Sequence, residues 1–516
     1  MTIQNKMESP SSQNKRLVKN TLLLYMRMLF TMVVGLFTSR IVLQELGVVD
    51  YGIYNVVGGI VTLFAFVKQA LGNATWRYIN VSLGKGNLQH TQKVYSNAIV
   101  MHALLCVFIF LIAETIGLWF LYNKLVIPVE RLDDAFWVYQ ISIVTIILSI
   151  MSSPNMSLIT AHEKMGAFAY IAIWEVTAKI LLVISLMLFD DNKLILYSFF
   201  CAIVQISINA IYYIYCRKKF EESAFVWTND YKQMKEMSTF TGYTIIPGIG
   251  FAASGQGLNM LLNIFFGPVV NAARGISVQV QGIIMKFVSS FQMAVNPQIT
   301  KLYTTGEYER MHSLVTKTAK FSFYILFLLD LPLIMNMDYV LTLWLHSYPD
   351  YASIFCKFTL AYSMFDVIAY PFLVGAAANG NVGKYYTING SILISILPAA
   401  YIALKFGSSP TMVYVLQFIF LAILMCVRIF WGANMIEYKK IRVIKEIFMP
   451  LSTALIVSVM ASYYICNMFE KKDFISFFIQ SVIIVIVSIV SILFIGMDFS
   501  ERSFLKKIFL KKIIHR

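Results

Sequence analysis

Twelve ionisable residues stand inside long apolar stretches of this sequence, and they are where chemistry would be done. Eight are cations: Arg27, Arg40, Lys68, Lys179, Arg274, Lys286, Lys357 and Arg428. Four are anions: Glu114, Glu175, Asp330 and Asp366. An ionisable group inside a bilayer is costly, so each is a functional candidate by default. The surplus of four positive charges suits an anionic ligand, above all a phosphate or pyrophosphate, whose oxygens take strong charge-assisted hydrogen bonds.

Spacing ranks the cations. Arg274 and Gln281 are seven residues apart and share a helix face. A polar face on a bundle helix lines a cavity more often than it faces lipid, so Arg274 is the leading candidate for phosphate contact. Lys286 lies about 120° around the same helix. Lys286 and Lys68 come next, each a few residues from a helix end, where snorkelling to the interface is the alternative reading. Arg40 and Arg27 are 13 residues apart, about 140° around an ideal helix, so they need not share a face. Glu175 and Lys179 have the i,i+4 order of a mutually neutralising pair. Asp330 and Asp366 stand mid-stretch, followed by Pro332 and Pro371. A carboxylate there can bind a proton or Na⁺ and link its release to a conformational change; the alternative is a salt bridge to a nearby cation.

The elements that carry these groups follow from composition. Of 516 residues, 58% are hydrophobic and 13% charged, the latter about half the usual soluble share. A soluble globule cannot hide that much apolar surface. An all-α polytopic membrane protein is the expected fold class, because lipid offers no partners to unpaired backbone groups. Fourteen stretches are about the length that crosses a bilayer: approximately 21–43, 53–72, 97–121, 136–160, 168–189, 194–216, 241–265, 269–294, 320–343, 351–374, 385–404, 411–434, 449–467 and 474–496. With the N-terminus inside, and Lys320 at the edge of the ninth stretch counted with the loop before it, the inner segments hold 28 Lys+Arg and the outer loops 6. That asymmetry places both termini in the cytoplasm. It also accounts for the net charge of +15 as a topology signal, without a nucleic-acid partner. Six cysteines, none in a C-x-x-C pair, read as buried small hydrophobes.

The expected organisation is a tail at 1–20, an N-lobe of six helices at 21–216, a basic linker at 217–240, a C-lobe of six at 241–434, two further helices within 449–496, and a basic tail at 497–516. The tail alternates lysine pairs with apolar residues and suits the anionic inner leaflet. A shift of 220 residues lays Gly47 on Gly267, Val49 on Val269, Ala74 on Ala294 and Gly86 on Gly306. Six spans, a linker and six more with matched topology are a two-lobe transporter pattern. The seventh stretch carries Pro247, Gly248, Gly250 and Gly255. Glycine and proline relax its backbone, so it is the expected hinge or gate; close helix packing through small residues is the alternative.

The stretch RIVLQELGVVDYGIY, Arg40 to Tyr54, carries an arginine near the end of the first span, Leu-Gly, an acidic residue and Tyr-Gly-x-Tyr. It resembles the polysaccharide-biosynthesis flippases, the Wzx-type transporters. Their superfamily, the multidrug/oligosaccharidyl-lipid/polysaccharide exporters, also holds the MATE drug exporters and the lipid II flippases. GPVVNAARGIS (Gly267–Ser277) and NPQITKLYTTGEYERM (Asn296–Met311) are similar to the same family. The resemblance implies a V-shaped pair of lobes alternating between inward-open and outward-open states in a bacterial inner membrane. The implied substrate is an oligosaccharide on a polyprenyl-pyrophosphate lipid, such as an O-antigen unit of lipopolysaccharide or a capsule repeat. Arg40 matches the family's motif position. MATE exporters usually have twelve spans, which favours the oligosaccharide branch; the lipid II flippases have fourteen, so a lipid II-type flippase is an alternative.

No G-x-x-x-x-G-K-[ST] points to ATP, and no clustered His/Cys set points to a metal. No cofactor is expected, and a monomer in contact with membrane lipids is. Two other readings stay open. A drug antiporter of the same fold would favour a negative cavity for organic cations. A polysaccharide polymerase or ligase typically carries a large basic outer loop, which the short outer loops here argue against.

Overall fold

The computed structural model describes residues 10–503 except 163, 190, 229, 381–382, 469–472 and 500; the side chains of 10–29, 165, 168–169, 240, 243–244, 246–247 and 294 also lie outside the description. Among the described residues every regular element is a helix. Eleven helices there are long and apolar enough to cross a membrane. All fourteen expected stretches fall on helices. Three of them are not among those eleven: 53–72 and 269–294 carry charged or glutamine side chains, and 168–189 falls on a helix described only in part.

The chain divides into two compact units, 1–272 and 273–516. The first holds α1 (Pro10–Thr62), α2 (Ala65–Gly84), α3 (Leu88–Ile112), α4 (Leu118–Asn123), α5 (Leu132–Met151), α6 (Ser153–Ala161), α7 (Met165–Leu186) and α8 (Lys193–Lys219), then α9 (Tyr231–Ala252) and α10 (Leu258–Phe266). Helix α11 (Pro268–Thr304) begins in it. The second unit continues α11 and adds α12 (Tyr308–Met335), α13 (Met337–Leu345), α14 (Ala352–Asn379), α15 (Gly383–Lys405), α16 (Pro410–Met435), α17 (Lys440–Val443), α18 (Met449–Met468) and α19 (Phe474–Ser491).

The boundary at 272 lies beyond the joint expected at 217–240, and there is a physical reason. Residues 220–233 are strapped to the first unit. Gln92 Nε2 donates to the Ala224 carbonyl at 3.0 Å, the Val226 N–H to Ser96 Oγ at 3.0 Å, and Asn97 Nδ2 to Gln233 Oε1 at 2.6 Å. Glu222, buried in that segment, pairs with His162. Helix α9 then sets Met237 against Leu71, Ala98 and Met101.

The repeat is visible in the backbone. Gly47 (φ 75°) breaks α1, and Gly267 (φ 74°) separates α10 from α11. Gly86 (φ 67°) and Gly306 (φ 75°) end the helices that follow. All four take a left-handed conformation that glycine adopts without steric cost.

Candidate functional site

The second unit holds the leading cation. Arg274 is 4% exposed, and its guanidinium lies over the Tyr414 ring at 5.6 Å. Its Nη1 donates to the Tyr414 hydroxyl at 3.3 Å, and Ser277 Oγ meets that hydroxyl at 3.1 Å. Tyr414 stacks on Phe355 with centroids 4.0 Å apart. Gln281, the residue that defines the polar face, donates to Ser363 Oγ at 2.7 Å. One face of α11 is thus a ladder of polar contacts to α14 and α16. Lys286 on the same helix is exposed.

The two mid-span carboxylates differ sharply. Asp366 accepts from Arg428 Nη1 at 2.5 Å, and Arg428 also donates from Nε to Asn389 Oδ1 at 3.3 Å. Salt bridging, the alternative to ion binding, therefore describes Asp366 in this conformation. Asp330 is fully buried, and neither of its oxygens has a hydrogen-bond partner among the described residues. Helices α18 and α19, which pack on α12, carry no charged residue within their bounds.

In the first unit, Lys68 donates to Ser149 Oγ at 2.5 Å. Ser149 lines a cavity of about 230 Å³ together with Tyr54, Ser142, Thr145, Ser198 and Gln205. Helices α1, α5 and α8 leave here a pocket walled by hydroxyls, an amide and apolar carbons, with a cation at its edge. Arg40 is half-buried on α1. The side chains of Arg27 and Pro247 lie outside the described residues. The expected hinge is helical: α9 runs through Gly248 and Gly250 to Ala252, and a π-turn follows at Ala253–Gly257, including Gly255. At Gly248 a Cβ would lie 3.0 Å from that of Phe66, so close packing is part of its role.

The motif residues have structural tasks. Asp50 pairs with Arg131 at 3.2 Å, and Arg131 with Asp134 at 2.9 Å. Gly52 touches backbone: a Cβ there would sit 1.9 Å from the Pro268 carbonyl oxygen. Tyr54 packs edge-on to Tyr197 with centroids 4.8 Å apart. Beside them lies a network of asparagines that sequence reasoning missed. Asn259 Nδ2 donates to the Asn55 carbonyl at 3.1 Å. Asn271 Nδ2 donates to the carbonyl and side-chain oxygens of Asn259 at 2.6 and 2.9 Å. Asn263 Nδ2 donates to Asn271 Oδ1 at 2.9 Å, and its Oδ1 accepts from the Val126 N–H at 2.8 Å. The signal was there, three asparagines within thirteen residues of an apolar run, but uncharged amides drew no attention. Also missed was a buried pair in the second unit, Lys320 Nζ to Glu501 Oε2 at 2.6 Å.

Long apolar helices with repeated glycine corners and ionisable side chains among them describe a polytopic membrane fold. The chain belongs to the family described as polysaccharide biosynthesis protein, which matches residues 17–303. No curated protein matches the sequence. Among solved structures, an inward-closed lipid II flippase MurJ is similar at 14% identity and TM-score 0.65, covering 91% of this chain and 98% of that one. An inward-facing MATE multidrug transporter is similar at 13% identity and TM-score 0.63, covering 80% and 94%. The bent form of the Vibrio cholerae MATE transporter VcmN matches at 13% identity and TM-score 0.54, covering 83% and 98%. At these identities the likeness is one of fold.

Proposed function

We propose that the protein is a flippase and not an enzyme. It moves a polyprenyl-pyrophosphate-linked oligosaccharide, an O-antigen or capsule repeat unit, from the inner to the outer leaflet of a bacterial inner membrane by alternating access. The observation that carries this reading is the polysaccharide-biosynthesis family match on a chain whose apolar stretches hold more cations than anions. Arg274, with Arg40, Lys286, Lys68 and Arg27 as further cations, would take the pyrophosphate. Arg274 suits this best: its guanidinium lies over the Tyr414 ring, and a guanidinium matches the geometry of phosphate oxygens. The hydroxyl-lined cavity beside Lys68 suits a sugar ring, since its lining oxygens accept hydrogen bonds and carry no charge. A proton or Na⁺ would couple the cycle through Asp330, with Asp366 contributing when its bridge to Arg428 opens.

The test is a strain lacking the gene. The expected result is that lipid-linked oligosaccharide accumulates on the cytoplasmic leaflet and the surface polysaccharide disappears. Complementation with Arg274→Ala should leave that accumulation in place at normal protein level. If single repeat units reach the outer leaflet and stay unpolymerised, the protein is an assembly enzyme. If sugars are normal and sensitivity to cationic drugs rises, it is a drug exporter.

A further inference from the structure

We infer that the asparagine network and Gly52 form a latch that holds one end of this molecule shut. On the orientation expected from the charge asymmetry, that end is the outer one. The inference deepens the transport reading by naming a closing device.

The contact joins three segments of the first unit: the part of α1 after Gly47, the loop at Val126, and the α10–α11 corner at Gly267. Each side supplies backbone to the other. Pro268 carbonyl oxygen rests against Gly52, where no side chain fits, and Gln256 and Asn259 rest against Gly59, where a Cβ would lie 2.8 Å from Gln256 Oε1. Asn259, Asn263 and Asn271 then tie the segments together with six hydrogen bonds between 2.6 and 3.3 Å, reaching Asn55 and Val126. Asn263 and Asn271 are fully buried. A fully satisfied amide network in low dielectric is strong and geometrically specific. It is also reversible, because water can take over amide donors and acceptors when the contact opens, whereas freshly exposed apolar surface is penalised.

A second observation points the same way. The rod carrying the latch holds a π-turn at Ala253–Gly257, one turn before Asn259. π-turns interrupt the i→i−4 ladder and give a helix a place to change its bend. Latch and bend therefore sit on one element. The resemblance motif gains a reason as well: Gly47 makes the corner, Asp50 anchors it to Arg131, and Gly52 admits Pro268.

The test reads distances in the full-length protein in lipid nanodiscs. Spin labels are carried by unnatural residues at the exposed positions Val129 and Val269, which leaves the native cysteines intact. Wild type should show one short-distance population. Asn271→Ala removes three hydrogen bonds and should raise the ratio of long to short distances by at least about tenfold. Gly52→Ala carries none of those bonds and should shift the ratio in the same direction. Folded variants with unchanged distances overturn the latch. Hydrogen exchange on the wild type decides the case in which variants do not fold. The Val126 amide should exchange through local opening, well before the buried amides of α8; equal protection overturns the proposal. Neither readout depends on which substrate is carried.

Discussion

Lys320 and Glu501 are 181 residues apart in sequence, yet their side chains meet at 2.6 Å with 3% and 2% exposure. Such a pair is asymmetric in its energetics. Removing one partner leaves a buried charge uncompensated, whereas replacing both by apolar residues is close to neutral. Glu501→Gln should therefore cost about 3–5 kcal/mol, and Lys320→Met with Glu501→Leu should recover most of it. Thermal unfolding of the two variants in detergent checks this; an equal loss in both would contradict it. A milder contrast is expected at Glu175–Lys179, whose 2.7 Å bridge is 42% and 51% exposed. Lys179→Ala should change stability by less than about 1 kcal/mol. The second pair was legible in the sequence because i,i+4 spacing fixes proximity on a helix. The first was not, because nothing local tells which distant helix brings a countercharge. Asp366 shows the same limit: its partner Arg428 lies on another helix, so the sequence named ion binding and salt bridging without naming the partner. Asp330 was legible as an acid inside an apolar stretch, but that neither of its oxygens finds a hydrogen-bond partner among the described residues shows only in the fold.

At the scale of elements, the glycine corners were legible and the π-turns were not. Gly47 and Gly267 stood out because a 220-residue shift superposes them, and both adopt left-handed φ. A Cβ there meets little or nothing in space, so the cost of substitution is conformational. Gly47→Ala and Gly267→Ala should each destabilise by about 1–2 kcal/mol. Gly84→Ala, at an ordinary helical position with open space, should be neutral or stabilise by up to about 1 kcal/mol. Chemical denaturation of the three variants tests the contrast, and a loss at Gly84 equal to that at Gly47 would contradict it. The glycines of this stretch, Gly255 among them, marked a backbone able to bend, but not the π-turn at Ala253–Gly257, because one extra residue per turn has no signature in residue type. The same blindness hid the strapped linker. Residues 217–240 are polar and basic, and polarity alone cannot distinguish a free joint from a segment hydrogen-bonded to α3.

For the molecule as a whole, fold class was legible because 58% apolar residues in long runs permit little else in a bilayer. The division at 272 was not, since it depends on which helices α9 packs against. Orientation remains a prediction of charge. Phe406, 85% exposed beyond α15, should face outside, and Lys85 should face the cytoplasm. In intact cells an impermeant thiol reagent should label Phe406→Cys and leave Lys85→Cys untouched until the cells are permeabilised. The reverse pattern would invert the topology.

The most direct measurement of the central claim uses purified protein in sealed vesicles containing a polyprenyl-pyrophosphate oligosaccharide. Transbilayer movement is read by the fraction of sugar that an impermeant glycosidase can reach. With wild-type protein the protected fraction should fall over time, and Arg274→Ala should slow that fall at least about tenfold, the loss of one charge-assisted contact of roughly 1.5–3 kcal/mol. A protected fraction that stays constant with folded wild-type protein, with either ion gradient imposed, would contradict the account.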